Sequence, residues 1–317
     1  MTQSERDVPL VQQDRSNVQD AFAPTTIRSA VPEEPARLER DARILIGWLN
    51  VEMAQRLMTS QRGDVQLTPA QVDVITRARA AVEARPADVD QDGVVEPAPD
   101  EMSDYVSEFL ASPAVQPYVN EGWKVGVADL SRVCAFQPNV FVDHAAARTE
   151  DATAGDLASI APITLPLPSA GTKLNAQYDE QRQVLMISSP NPNLRVSGFG
   201  TFQSTDGSAG FGLTVAMAAS FVQVAKYQGR YLLRDGYHRS VGLLRRGIER
   251  VPCLVHEGMT LQQLIPQPAG MVPHEVFMGD RAPTLADYWK GDVSTGASLP
   301  ATHKMVVIQA LELSVMG

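Results

Sequence analysis

The segment from residue 229 to 255 constrains the fold most, because strand, turn, helix and strand signals follow one another there without a gap. Tyr231, Leu232 and Leu233 close an apolar run that begins after a Gln228-Gly229 hairpin turn, and Asp235-Gly236 breaks it. A helix is expected from there to about Arg246, with Val241 and Leu244 on its inner face and Leu243 beside them. Gly247 suits the position just past a helix end, and Arg245 and Arg246 suit the negative end of the helix dipole. Val251–Val255 then returns as a buried strand.

The chemistry of this unit concentrates at the start of the helix. The first amide N–H groups of a helix have no intrahelical partner and carry partial positive charge. Gly236 would let a ligand approach the backbone, and His238 and Arg239 add side-chain donors in the same turn. Strand, glycine turn and helix N-terminus together suit a phosphate group. The same residues also fit a purely structural role. In that role Asp235 caps the helix, His238 packs internally and Arg239 pairs with Asp235 or another carboxylate.

A strand ending in Asp235-Gly236-Tyr237-His238-Arg239, a short helix, Gly247, then Val251-Pro252 and a strand resembles the ParB/sulfiredoxin-like superfamily over about residues 221–257. The motif is most similar to its Asp-Gly-x-His-Arg members. Partition proteins of the ParB type, sulfiredoxins and free-serine kinases belong to that superfamily, where the motif sits over nucleotide phosphates. The resemblance implies that Gly236, His238 and Arg239 line a nucleotide or phosphate pocket with Asp235 at its edge. ATP or another nucleotide with magnesium is the implied cofactor.

Three departures narrow what is implied. Sulfiredoxins place a catalytic cysteine where this chain has Tyr237, so repair of sulfinic acid is not expected. Partition proteins carry Glu-Arg-Arg after the turn glycine and a downstream helix-turn-helix, and neither pattern is present. Serine kinases need a carboxylate base, for which Asp235 and Glu257 are the candidates.

The rest of the chain is read as an α+β protein: a ParB/sulfiredoxin-like mixed-sheet domain with a helical N-terminal region. Residues 1–36 are polar and proline-containing and read as a disordered tail, available to a protein partner. Residues 37–122 read as helical. Leu38, Ile44, Leu45, Trp48, Leu49, Met53 and Leu57 recur at helical spacing. Thr68, Pro69 and Gln71 form a capping-box start for a second helix with Val72, Ile75, Ala78 and Val82 on its apolar face, the two forming an antiparallel hairpin. Short helices are expected over 100–121.

Residues 123–317 read as the α+β body. Strands are expected at Trp123–Val127, Val140–Val142, Val184–Ser188, Leu194–Val196, Leu213–Ala216, Phe221–Tyr227 and His303–Leu313, with a short helix at Thr284–Trp289. Pro190–Asn193 and Asp206–Ser208 mark turns, and the glycines at 198, 200 and 207–212 read as hairpin loops.

Charge and sulfur limit the function classes. The net charge of −10 disfavours nucleic acid as a partner. A DNA role would need Arg234, Arg239, Arg245, Arg246 and Arg250 to form one basic patch, although such clusters are more often solvated surface. Cys134 and Cys253 lie far apart in apolar surroundings and read as buried, inert thiols.

Asp88–Gly93 resembles a calcium loop, but its twelfth position is Pro99, where a bidentate carboxylate would be needed. His144, His256, His274 and His303 have no metal-ligand spacing, and Asp143-His144 reads as surface polar structure. No apolar stretch is long enough to span a membrane, so a cytoplasmic location is expected. Two functions remain: a nucleotide- or phosphate-binding protein working as an ATPase or phosphotransferase, or a non-catalytic interaction or scaffold protein. The expected partner of the first is a nucleotide or phosphorylated small molecule.

Overall fold

In the computed structural model, Gln228 and Gly229 both adopt positive φ, 47° and 83°, as a two-residue hairpin with the native strand twist requires. The structure describes residues 39–59, 65–87, 90–168, 174–189, 193–203, 207–266, 269–301 and 304–309. The tail at 1–36, the start of the Asp88 loop, the 190–192 turn residues, Asp206, His303 and the last residues of the expected final strand lie outside them.

In chain order the strands and helices are β1 (Glu39–Ile44), α1 (Val51–Met58), α2 (Pro69–Glu83), β2 (Val95–Pro97), α3 (Ser103–Ala111), α4 (Gln116–Asn120), β3 (Lys124–Asp129), β4 (Asn139–Phe141), α5 (Val142–Ala147) and α6 (Leu157–Thr164). There follow β5 (Asn175–Asp179), β6 (Val184–Ser189), β7 (Leu194–Gln203), β8 (Ala209–Met217), β9 (Gln223–Tyr227), β10 (Arg230–Asp235), α7 (Tyr237–Arg245) and β11 (Arg250–Glu257). The chain closes with α8 (Leu261–Leu264), α9 (His274–Phe277), β12 (Thr295–Pro300) and β13 (Lys304–Gln309).

The central sheet runs β10-β9-β11-β3-β2. β9 and β11 are parallel, and every other neighbouring pair is antiparallel. Helix α7 is the connection that carries the chain from β10 over to the far side of β9. Val251–Val255 are all buried, as a strand covered on both faces demands. Gly247 ends the helix with φ +74°. The strand–turn–helix–strand order expected over 229–255 is therefore present.

Smaller sheets surround this one, in the orders β12-β1-β4, β13-β6-β5 and β7-β8. A single hydrophobic cluster includes Ile44, Leu49 and Phe109 from one part of the chain and Phe221, Leu232 and Leu254 from another. Helices and mixed sheets thus share one core in an α+β architecture.

The first expected helix is corrected. Residues 39–44 form a strand that pairs on both sides, with β12 and β4. Alternate burial decides this, since Ala42 and Ile44 point inward. Of that span only 51–58 is α-helical, started by Asn50, whose side chain accepts a bond from the Met53 amide at 2.8 Å.

Helix α2 begins with the Thr68–Gln71 capping box as expected. Ile75 and Ala78 face inward, but Val72 is exposed. Instead of pairing with α1, α2 packs on the 3-10 turn Ile46–Trp48. There a Cβ on Gly47 would lie 2.8 Å from Val82 Cγ2. The glycines expected in hairpin loops are also corrected. Gly198 and Gly200 lie inside β7, and Gly210 and Gly212 inside β8, with Gly200 opposite Gly212. Only Gly207 sits at the turn end, with φ +84°.

Candidate functional site

Gly236 is the N-cap of α7, with φ +94°, and its amide donates to Asp235 Oδ1 at 2.6 Å. A Cβ at this position would lie 2.9 Å from the Cα of Val222. The close approach that glycine permits here is therefore to the chain entering β9. Tyr237 follows, fully inside the protein. Its hydroxyl accepts from the amides of Phe136 at 3.0 Å and Gln137 at 3.3 Å, and burial raises its pKa.

His238 turns toward α5. Its ring stacks on Phe141 at 6.0 Å with an interplanar angle of 3°, and meets the edge of His144 at 5.4 Å. Its Nε2 is buried with no hydrogen-bond partner. Burial first, then the positive charge of Arg148, push its pKa down to about 4, so the ring is neutral at pH 7. On the other side of the ring cluster, Arg40 pairs with Asp143 at 3.1 Å and contacts His144 Nε2. Asp143-His144, read from sequence as surface polar structure, thus borders the histidine of the turn.

Arg239 turns the other way and is only 6% exposed. Nη1 donates to the carbonyl of Ser220 at 2.7 Å and of Ile163 at 3.1 Å, while Nη2 donates to Ser220 Oγ at 2.7 Å. Its Nε is buried without an acceptor. Burial lowers its pKa to about 10, with Asp235 acting against that, so it stays charged. Ser220 Oγ also donates to Asp235 Oδ2 at 3.5 Å. Asp235 and Arg239 are therefore linked through Ser220 and make no direct ion pair.

Arg239 and Ser220 line a cavity of about 580 Å³ together with Arg148, the residue that ends α5. Burial lowers the pKa of Arg148, and the negative charge of Asp235 counters this. The rest of the wall includes Pro162, Ile163, Pro166 and Leu167 from α6 and its exit, and Asn193 and Met217 from the base of the β7–β8 hairpin.

Of the four residues singled out in the turn, Arg239 lines this cavity and Asp235 stands one hydrogen bond behind it. Gly236 and His238 are not among its lining residues. Arg148 was missed in the sequence. The available signal was its position four residues after His144, on the same face of a short helix.

The close packing of α5 on α7 places Arg148 here. A Cβ on Gly242 would lie 2.3 Å from the carbonyl oxygen of Ala145, so only glycine lets the two helices approach this far.

The other candidates separate. Arg234 lies over Trp123 at 5.6 Å, Arg245 over Trp289 at 4.9 Å, Arg246 donates to the Ala152 carbonyl, and Arg250 pairs with Glu96. They share no patch with Arg239. Glu257 accepts from the Tyr231 hydroxyl and pairs with Lys226, away from the cavity.

Cys134 and Cys253 are buried free thiols, each with its pKa pushed up to about 12 by burial. Among the described residues, no three His, Cys, Asp or Glu side chains are grouped to hold a metal ion, and no helix is long and apolar enough to cross a membrane. Comparison with family models, with curated proteins and with solved structures finds no match.

Proposed function

We propose that the protein binds a phosphate-bearing small molecule, of the nucleotide class, in the cavity between α5, α6 and the start of α7. One observation carries this reading: two guanidinium groups, Arg148 and Arg239, line the same cavity, and Arg239 keeps a buried Nε–H without an acceptor. A buried donor left unpaired costs about 1–3 kcal/mol, and a small shift of the Arg239 side chain toward an anionic oxygen in the cavity would recover it. Arginine is also the side chain best matched to phosphate geometry. The order strand, Asp-Gly-x-His-Arg turn, helix and strand supports placing residues 221–257 in the ParB/sulfiredoxin-like superfamily.

A binding role is favoured over phosphoryl transfer. Among the described residues no carboxylate lines the cavity, and its one hydroxyl there, Ser220 Oγ, is already bonded to Arg239 and Asp235. Asp235 is the nearest candidate base, but its Oδ1 is held by the Gly236 amide. ATP with magnesium stays within this reading as one ligand to be tested.

The test is thermal unfolding of the full chain with a panel of nucleotides, with and without magnesium. A true ligand at about 100 times its dissociation constant adds about 2.7 kcal/mol of stability. Arg148→Gln should abolish that shift while the unliganded melting temperature changes little. If no nucleotide or phosphorylated compound shifts the wild-type protein, the reading fails.

A further inference from the structure

The cavity lining is of two chemical kinds. Arg148, Arg239, Ser220 and Asn193 are polar, while Pro162, Pro166, Leu167 and Met217 are apolar. Its volume of about 580 Å³ lies within the range of roughly 300–1,000 Å³ usual for small-molecule sites. An inorganic anion would leave most of that space and the apolar lining unused.

The charge of the polar lining is modest. Asp235 acts on both guanidinium groups, and His238 nearby is neutral at pH 7. Two guanidinium charges offset by one carboxylate suit a single phosphomonoester, which carries about −1.5 to −2 at pH 7. They fall short of a triphosphate chain. The rigid rings of Pro162 and Pro166, with Leu167 and Met217, offer a surface on which a flat apolar group can rest.

We infer that the ligand is a phosphomonoester carried on a flat, largely apolar body, with a nucleoside monophosphate as the model compound. The inference rests on the phosphate-binding reading above and names the ligand class for the same cavity. The phosphate pairs with Arg148 and with the guanidinium of Arg239 where it lines the cavity, and the body lies against the apolar lining.

Isothermal titration of the full chain with four probes tests it: inorganic phosphate, adenosine, adenosine monophosphate, and adenosine triphosphate with magnesium. The monophosphate should bind at least tenfold more tightly than inorganic phosphate or adenosine, and no more weakly than the triphosphate. Met217→Ser and, separately, Leu167→Ser should weaken the monophosphate at least fivefold and leave inorganic phosphate unchanged.

Equal affinity for inorganic phosphate and the monophosphate overturns the inference, as does a triphosphate that binds tenfold more tightly. Loss of neither affinity in both wall variants overturns it as well. In each of those results the phosphate-binding reading survives. Only the absence of binding by every phosphorylated probe removes that reading itself.

Discussion

Single residues in the turn divide between packing and the lining of the cavity. Gly236 sits at φ +94° with Val222 against its Cα, so Gly236→Ala meets both a backbone and a steric penalty. A loss of about 1–3 kcal/mol is expected in urea unfolding, with α7 still formed. His238 carries a pH signature. Its pKa falls from 6.5 to about 4 on folding, so the unfolded chain binds the proton more readily between those values.

Stability should be full above pH 6.5 and decline as pH falls toward 4. His238→Phe keeps a stacked ring and removes the titration, so its unfolding curves should vary less with pH over that window. A variant with an unchanged pH dependence would contradict the assigned burial.

The sequence made Asp235 to Arg239 legible because strand, glycine and helix signals adjoin there. The directions in which His238 and Arg239 point, and the presence of Arg148 beside them, were hidden. They depend on how α5 packs, which no local pattern encodes.

Among the elements, the contact between α5 and α7 is the most demanding. Gly242→Ala would gain helix propensity of about 1 kcal/mol. It would also place a methyl group 2.3 Å from the Ala145 carbonyl oxygen. Steric conflict should win, with a net loss of about 1–3 kcal/mol in denaturant unfolding and weakened ligand binding as Arg148 shifts.

The start of helix α2 was readable to the residue, because a capping box followed by proline is a local code. β1 was not, since helical and strand spacings both fit its few apolar positions and only pairing with β12 and β4 resolves them. The glycines of β7 and β8 misled for a related reason. Glycine is weak in an isolated strand, but facing glycines are tolerated when the partner strand supplies the ladder.

At the scale of the whole molecule, the two thiols report on the integrity of the core. With both buried and their pKa values near 12, neither should react with a thiol reagent at pH 8 in the native protein. Both should react once denaturant unfolds it, with labelling followed by mass. Rapid labelling of either under native conditions would mean that the core opens locally.

The pairing of β1 with β12 also bears on how the protein is made. Glu39 lies opposite Pro300, so although β4 can cover one edge of β1 early, the other edge finds its partner only after residues 295–300 have been synthesised. At about 5–20 residues per second, that edge of β1 waits on the order of ten to fifty seconds on the ribosome unsatisfied. A nascent chain stalled before residue 295 would expose that strand as a template for intermolecular pairing, the stage at which a holding chaperone would matter most.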